Sequence, residues 1–119
     1  MKKIISKSFT FEAAHRLNVT SNIENKNIHG HSYFVEVFII DNDDRIEKNG
    51  LILDFSIFEK KLNIVKKELD HSFLNKISGL ENPTLENIGI YVYDKLKKLN
   101  LYKILVKRKS CGECFILEV

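Results

Sequence analysis

The sequence predicts an α+β fold: a four-stranded antiparallel sheet with two helices on one face, in the order ββααββ. Three observations carry that prediction. Lys2 to Ala14 alternates apolar and polar residues, and Ser32 to Ile40 is rich in aromatic and β-branched ones, so both read as strands. Two central stretches repeat apolar residues at three- and four-residue steps: Phe55, Phe58, Leu62, Val65 and Leu69, then Ile88, Val92, Leu96 and Leu99. Tyr102 to Val106 and Phe115 to Val119 return to a strand pattern around a turn at Gly112.

In the first strand Ile5, Phe9, Phe11, Ala13 and His15 share one face, and Ser6, Ser8, Thr10 and Glu12 the other. One face is core and the other wet. Asn18 to Ile28 is Asn-rich and without period, a loop leading to the second strand. Asp41 to Asp44 and Asn49-Gly50 mark turns before a short extended piece, Leu51-Ile52-Leu53. Ser56 with Glu59 forms a capping box for the first helix, and Asn82 caps a second that begins at Pro83. Both apolar stripes are packing surfaces rather than cofactor boxes.

The chain has 119 residues, enough for one domain spanning 1–119. Its net charge of +3 is too small to argue for nucleic acid. No apolar run is long enough to cross a bilayer, and Met1-Lys2-Lys3 leads into a strand rather than a signal-peptide core, so a cytoplasmic protein is expected. Two cysteines, Cys111 and Cys114, suit a reducing compartment and read as thiols in a hairpin turn.

His29-Gly30-His31 opens the second strand, so its two imidazoles aim to the same face. His15 joins them if the first two strands are antiparallel neighbours. Three nitrogen ligands with an open fourth position are how a protein holds a catalytic zinc. On spacing alone, a His-X-His pair is equally well explained by histidines bonded to backbone. A carboxylate orienting one of the three is expected among Glu12, Glu24 and Glu36.

Phe11-Glu12-Ala13-Ala14-His15, His29-Gly30-His31-Ser32-Tyr33, Leu53-Asp54-Phe55, Leu69-Asp70-His71-Ser72-Phe73-Leu74-Asn75 and Pro83-Thr84-Leu85-Glu86-Asn87 follow one another across nearly the whole chain. In this order they resemble the 6-pyruvoyl-tetrahydropterin synthase and 6-carboxy-tetrahydropterin synthase family. That resemblance implies the tunnelling fold (T-fold) and zinc held by His15, His29 and His31. It implies a lyase acting on the side chain of dihydroneopterin or its triphosphate. It also implies Asp70 and His71 in a relay with a cysteine for acid and base steps, Thr84 and Glu86 among the substrate-binding residues, and a homo-hexamer of two stacked trimers with sites between subunits.

Two departures qualify the resemblance. Family members making the pyruvoyl or carboxylated product carry a cysteine shortly before His-Gly-His, and Ser21 to Ile28 has none. Glu24 is the one carboxylate there, and some relatives use a glutamate to cleave the side chain to 6-hydroxymethyl-dihydropterin. The second departure is Arg108, which stands where the family places a Glu that receives the pterin ring's N–H groups; arginine only donates. Either Glu113 takes that role, or pterin is held differently, or the ligand is not a pterin; Arg108 with Lys107, Lys109 and Arg16 suits a phosphorylated or carboxylated ligand, and equally a basic strand edge that discourages sheet aggregation. A zinc-binding protein that no longer turns over pterin is the alternative from another class.

Overall fold

The computed structural model describes residues 1–119. In chain order its elements are β1 (Ile4–His15), β2 (His29–Ile40), α1 (Arg45–Asn49), α2 (Phe55–Leu69), β3 (Ser72–Phe73), α3 (Leu85–Leu96), β4 (Leu101–Arg108) and β5 (Glu113–Glu118). The sheet runs β3-β1-β2-β4-β5. Its spine is the β1–β2 pair, antiparallel and unbroken from Ile4↔Ile40 to His15↔His29.

Strand parity sorts the side chains. Phe9, Phe11 and Ala13 of β1 and Tyr33, Val35, Val37 and Ile39 of β2 are buried, as are Ile104 and Val106 of β4. Phe58, Leu62, Val65 and Leu69 of α2 and Ile88, Val92 and Leu96 of α3 close over that face in one continuous core. Each such side chain taken from water contributes about 1.5–3 kcal/mol before ordering costs are subtracted. The opposite face carries Ser6 bonded to Glu36, Glu12 bonded to Ser32, and Lys103 and Lys107 over the rings of Phe38 and Phe34. No helix is long and apolar enough to cross a membrane.

The architecture is α+β as expected, with five strands and three helices rather than four and two. The extra strand is the two-residue β3, parallel to β1 at Ala13↔Ser72 and Ala14↔Phe73. It is too short to show a period of two. The extra helix is the single turn α1, which fills the space between the two expected turns and ends on Gly50 in the left-handed region at φ 79°. Leu51–Leu53 forms no strand, because that turn leads almost directly into α2.

Both helix starts also move. Asp54, not a Ser56–Glu59 box, caps α2 by accepting from the Ser56 N–H at 2.8 Å. Thr84, not Asn82, caps α3 by accepting from the Asn87 N–H at 3.1 Å. Pro83 is thereby left before the helix, where its carbonyl is free for another partner. Phe55 is half exposed and Leu99 only partly buried, so the core stripes run from Phe58 to Leu69 and from Ile88 to Leu96.

Candidate functional site

His15 ends β1 and His29 begins β2, and their pairing opposite one another, with Ala13 opposite His31, brings three imidazoles to one place on the inner face. The rings stand edge-on, with centroids 4.6, 5.0 and 4.8 Å apart. Each Nδ1 has a neighbour. His15 Nδ1–H donates to the Pro83 carbonyl at 3.0 Å, with the Tyr33 hydroxyl oxygen 3.2 Å from the same nitrogen. His29 Nδ1–H donates to the Asn27 carbonyl at 2.7 Å, and Cys111 Sγ lies 3.9 Å from His31 Nδ1.

A carbonyl at Nδ1 fixes the proton there and leaves Nε2 as a bare lone pair. The Nε2 atoms of His15 and His29 are 3.0 Å apart, and His31 Nε2 is buried without a partner. One ligand atom from each residue lies within 4.8 Å of the others. Lone pairs converging in a buried place repel one another unless a cation stands between them, so the donor set fits a divalent metal bound at about 2.0–2.1 Å per nitrogen. Burial pushes the His15 pKa down to about 4, and burial followed by the Arg108 charge lowers that of His31. Both are therefore neutral at pH 7, the form that ligates.

A carboxylate is expected behind at least one of these rings; two carbonyls and a thiol stand there instead. Glu12 and Glu36 point to the opposite face, held by Ser32 and Ser6 at 2.7 Å. Side chains on that face cannot reach the imidazoles through the sheet.

Arg108, the last residue of β4, pairs with Glu113 at 2.9 Å across the β4–β5 ladder. Its side chain is 13% exposed, and its Nε is buried without a partner. It stands beside Tyr33, whose pKa burial drives far upward, and its charge reaches both His15 and His31. Glu113 is thus occupied by Arg108 rather than presented alone.

Asp70 and His71 form a second cluster. One Asp70 oxygen accepts from the Glu12 N–H at 2.9 Å, and the other lies 3.1 Å from His71 Nδ1. The Glu12 N–H and then His71 hold the Asp70 pKa below its ordinary value. His71 adopts φ 56° and donates its own N–H to the Glu12 carbonyl at 2.7 Å. Its side chain is 81% exposed and lines an open cleft of about 570 Å³ with Glu12, Gly30, His31 and Ser32. Within one chain His71 does not join the three imidazoles.

Glu24 sits in a single 3-10 turn, Ile23–Lys26, exposed and without a hydrogen bond or ion pair to its carboxylate. Thr84 is spent on capping α3, next to the Pro83 carbonyl that holds His15, and Glu86 is exposed in the first turn of the same helix. Sequence reasoning missed Tyr33 and Cys111 as neighbours of the histidines. Tyr33 has the parity of His31 two residues on, a usable signal. Cys111 arrives from a hairpin 80 residues away, and nothing local announces it.

The family model described as 6-pyruvoyl tetrahydropterin synthase matches residues 4–115. The chain belongs to this family. Among curated relatives, a 6-carboxy-5,6,7,8-tetrahydropterin synthase from Synechocystis sp. is 38% identical over 100 residues, covering 80% of this chain and 75% of its own length. A dihydroneopterin monophosphate aldolase from Pyrococcus furiosus is 35% identical over 113 residues, covering 95% of this chain and 91% of its own. Among solved structures, the Caenorhabditis elegans 6-pyruvoyl tetrahydropterin synthase superposes with a TM-score of 0.79 at 26% identity, covering 100% of this chain and 96% of that one. The five motifs read from the sequence all fall within the matched span.

Proposed function

We propose that this family member is a zinc-dependent lyase that cleaves the three-carbon side chain of dihydroneopterin or a phosphorylated form of it. The observation that carries this reading is the set of three converging Nε2 atoms, joined to a loop that offers Glu24 and no thiol before His29. Similarity over almost the whole chain to an aldolase supports carbon–carbon cleavage over the pyruvoyl-forming reaction.

Zinc held by His15, His29 and His31 would supply Lewis acidity to the substrate's side-chain oxygens. Glu24 takes the proton from the hydroxyl on the second side-chain carbon. That oxygen's electrons close a carbonyl, the bond between the first and second carbons breaks, and its electron pair passes into the conjugated dihydropterin ring. His71, held by Asp70, returns a proton to the first carbon. The products are 6-hydroxymethyl-dihydropterin and a two-carbon aldehyde that keeps any phosphate. Thr84 and Glu86, at the start of α3, would contribute to holding the substrate. The exposed positions of His71 and Glu24 support a site completed by neighbouring copies in a homo-hexamer.

One observation favours a second reading. Cys111 puts a thiol beside His31 from the far side, so elimination to a pyruvoyl product with that thiol as base is the competing chemistry. Zinc-loaded protein incubated with dihydroneopterin, its monophosphate and its triphosphate separates the two by product. The hydroxymethyl compound, lost in Glu24→Gln with zinc content intact, is the expected result. A pyruvoyl product lost in Cys111→Ser selects the competitor, and ligand binding with no substrate consumed removes the enzyme reading altogether.

A further inference from the structure

Arg108 poses an electrostatic problem that the histidine cluster alone does not answer. Its guanidinium is nearly buried, its Nε–H has no acceptor, and of its five donors one nitrogen meets Glu113 at 2.9 Å. It stands on the same face as His31 and Tyr33, close enough that its charge acts on His15, His31 and the Tyr33 hydroxyl. Glu113 cancels one positive charge. With a divalent cation among three neutral imidazoles, two remain uncompensated in a place largely removed from water.

A buried guanidinium beside a cation is stable where an anion lies between them. Within the chain Glu12 and Glu36 are on the opposite face, Asp70 is turned to β1, and Glu24, the base of the cleavage reading, is exposed in its own turn, so none of them pairs with Arg108. The missing negative charge therefore arrives with the ligand. We propose that Arg108, with the Tyr33 hydroxyl beside it, forms an anion subsite next to the histidine cluster, and that this subsite takes the phosphate monoester of the substrate's side chain. This rests on the side-chain-cleavage reading: hydroxyl oxygens directed to the metal leave a terminal phosphate one carbon further on, within reach of an adjacent group. The guanidinium fork matches two phosphate oxygens, and the phosphate's negative charge offsets that of the guanidinium.

Inorganic phosphate titrated calorimetrically into zinc-loaded and metal-free protein tests the subsite without any turnover. Arg108→Gln should weaken phosphate binding roughly tenfold or more in both forms, as expected for loss of a charge-assisted hydrogen bond. Arg108→Lys should recover part of it, and Glu113→Gln, which releases the guanidinium from its carboxylate, should tighten it. The kinetic counterpart is a drop of the same order in the preference, by kcat/KM, for dihydroneopterin monophosphate over dihydroneopterin. Phosphate affinity indifferent to Arg108→Gln, or to Glu113→Gln, overturns the proposal. Equal losses on both substrates overturn it too. If neither pterin is consumed, the lyase reading fails and the phosphate titration still decides the role of Arg108.

Discussion

At the scale of single residues, the histidine site is defined by what holds each ring from behind. His15 and His29 lean on carbonyls, which do not ionise, whereas His31 leans on Cys111. His29→Ala should cost the full equivalent of zinc measured by atomic absorption, and an undiminished equivalent would refute the assignment. Cys111→Ala removes only the orienting contact, so zinc should stay bound but with affinity about 10-fold lower, the small end of the range for such partners. Cobalt in place of zinc reads the same point spectroscopically. A tetrahedral spectrum without thiolate-to-metal bands places Cys111 behind His31, and strong bands would make it a ligand instead. The three histidines were legible from the sequence because two-residue parity and one antiparallel pairing suffice to place them. Their supports were not, since Pro83, Asn27 and Cys111 act through a carbonyl or through tertiary proximity that no side-chain pattern encodes.

At the scale of elements, the sheet and both long helices were legible because each carries a long periodic stripe. What escaped were features one turn or one bridge long, α1 and β3, and the exact caps. Asp54 won over Ser56 because its carboxylate reaches both the N–H and the hydroxyl of Ser56 at 2.8 Å. Those two bonds hold the Asp54 pKa below its ordinary value. A carboxylate lowered in the folded state stabilises above its unfolded pKa, and that contribution disappears as pH falls through the folded one. Asp54→Asn keeps a capping oxygen but no charge. The melting temperature of the native chain should therefore exceed that of Asp54→Asn at pH 7, and the gap should close below about pH 4. A gap that persists unchanged at pH 3 would show the charge to be irrelevant to the cap.

At the scale of the whole molecule, one sheet face is roofed by helices and the other is not. The unroofed face mixes serines, glutamates and lysines with Phe34, Phe38 and a half-exposed Ile116, and β5 leaves an open edge. Such a surface supports the proposed hexamer, in which sheets joined edge to edge remove their own free edges. Light scattering coupled to size exclusion should give six chains, falling apart when an edge-strand residue such as Ile116 is changed to Lys. A mass of one chain that still turns over pterin would sink both the assembly and the shared site.

The unbroken β1–β2 pairing has a consequence for how this gene can change. His15, His29 and His31 lie on the same parity as Phe11, Tyr33 and Val35, so the candidate metal-binding histidines and the core are read from one alternation. Deleting one codon within either strand turns the ligands outward together with the aromatic residues, and the chain fails to fold. Deleting one in the Asn-rich segment between the strands leaves that alternation intact and alters the reach of Glu24 and the Asn27 carbonyl behind His29. Length variation can thus retune the chemistry, while a frame-preserving slip cannot yield a stable protein that has quietly mislaid its histidine cluster.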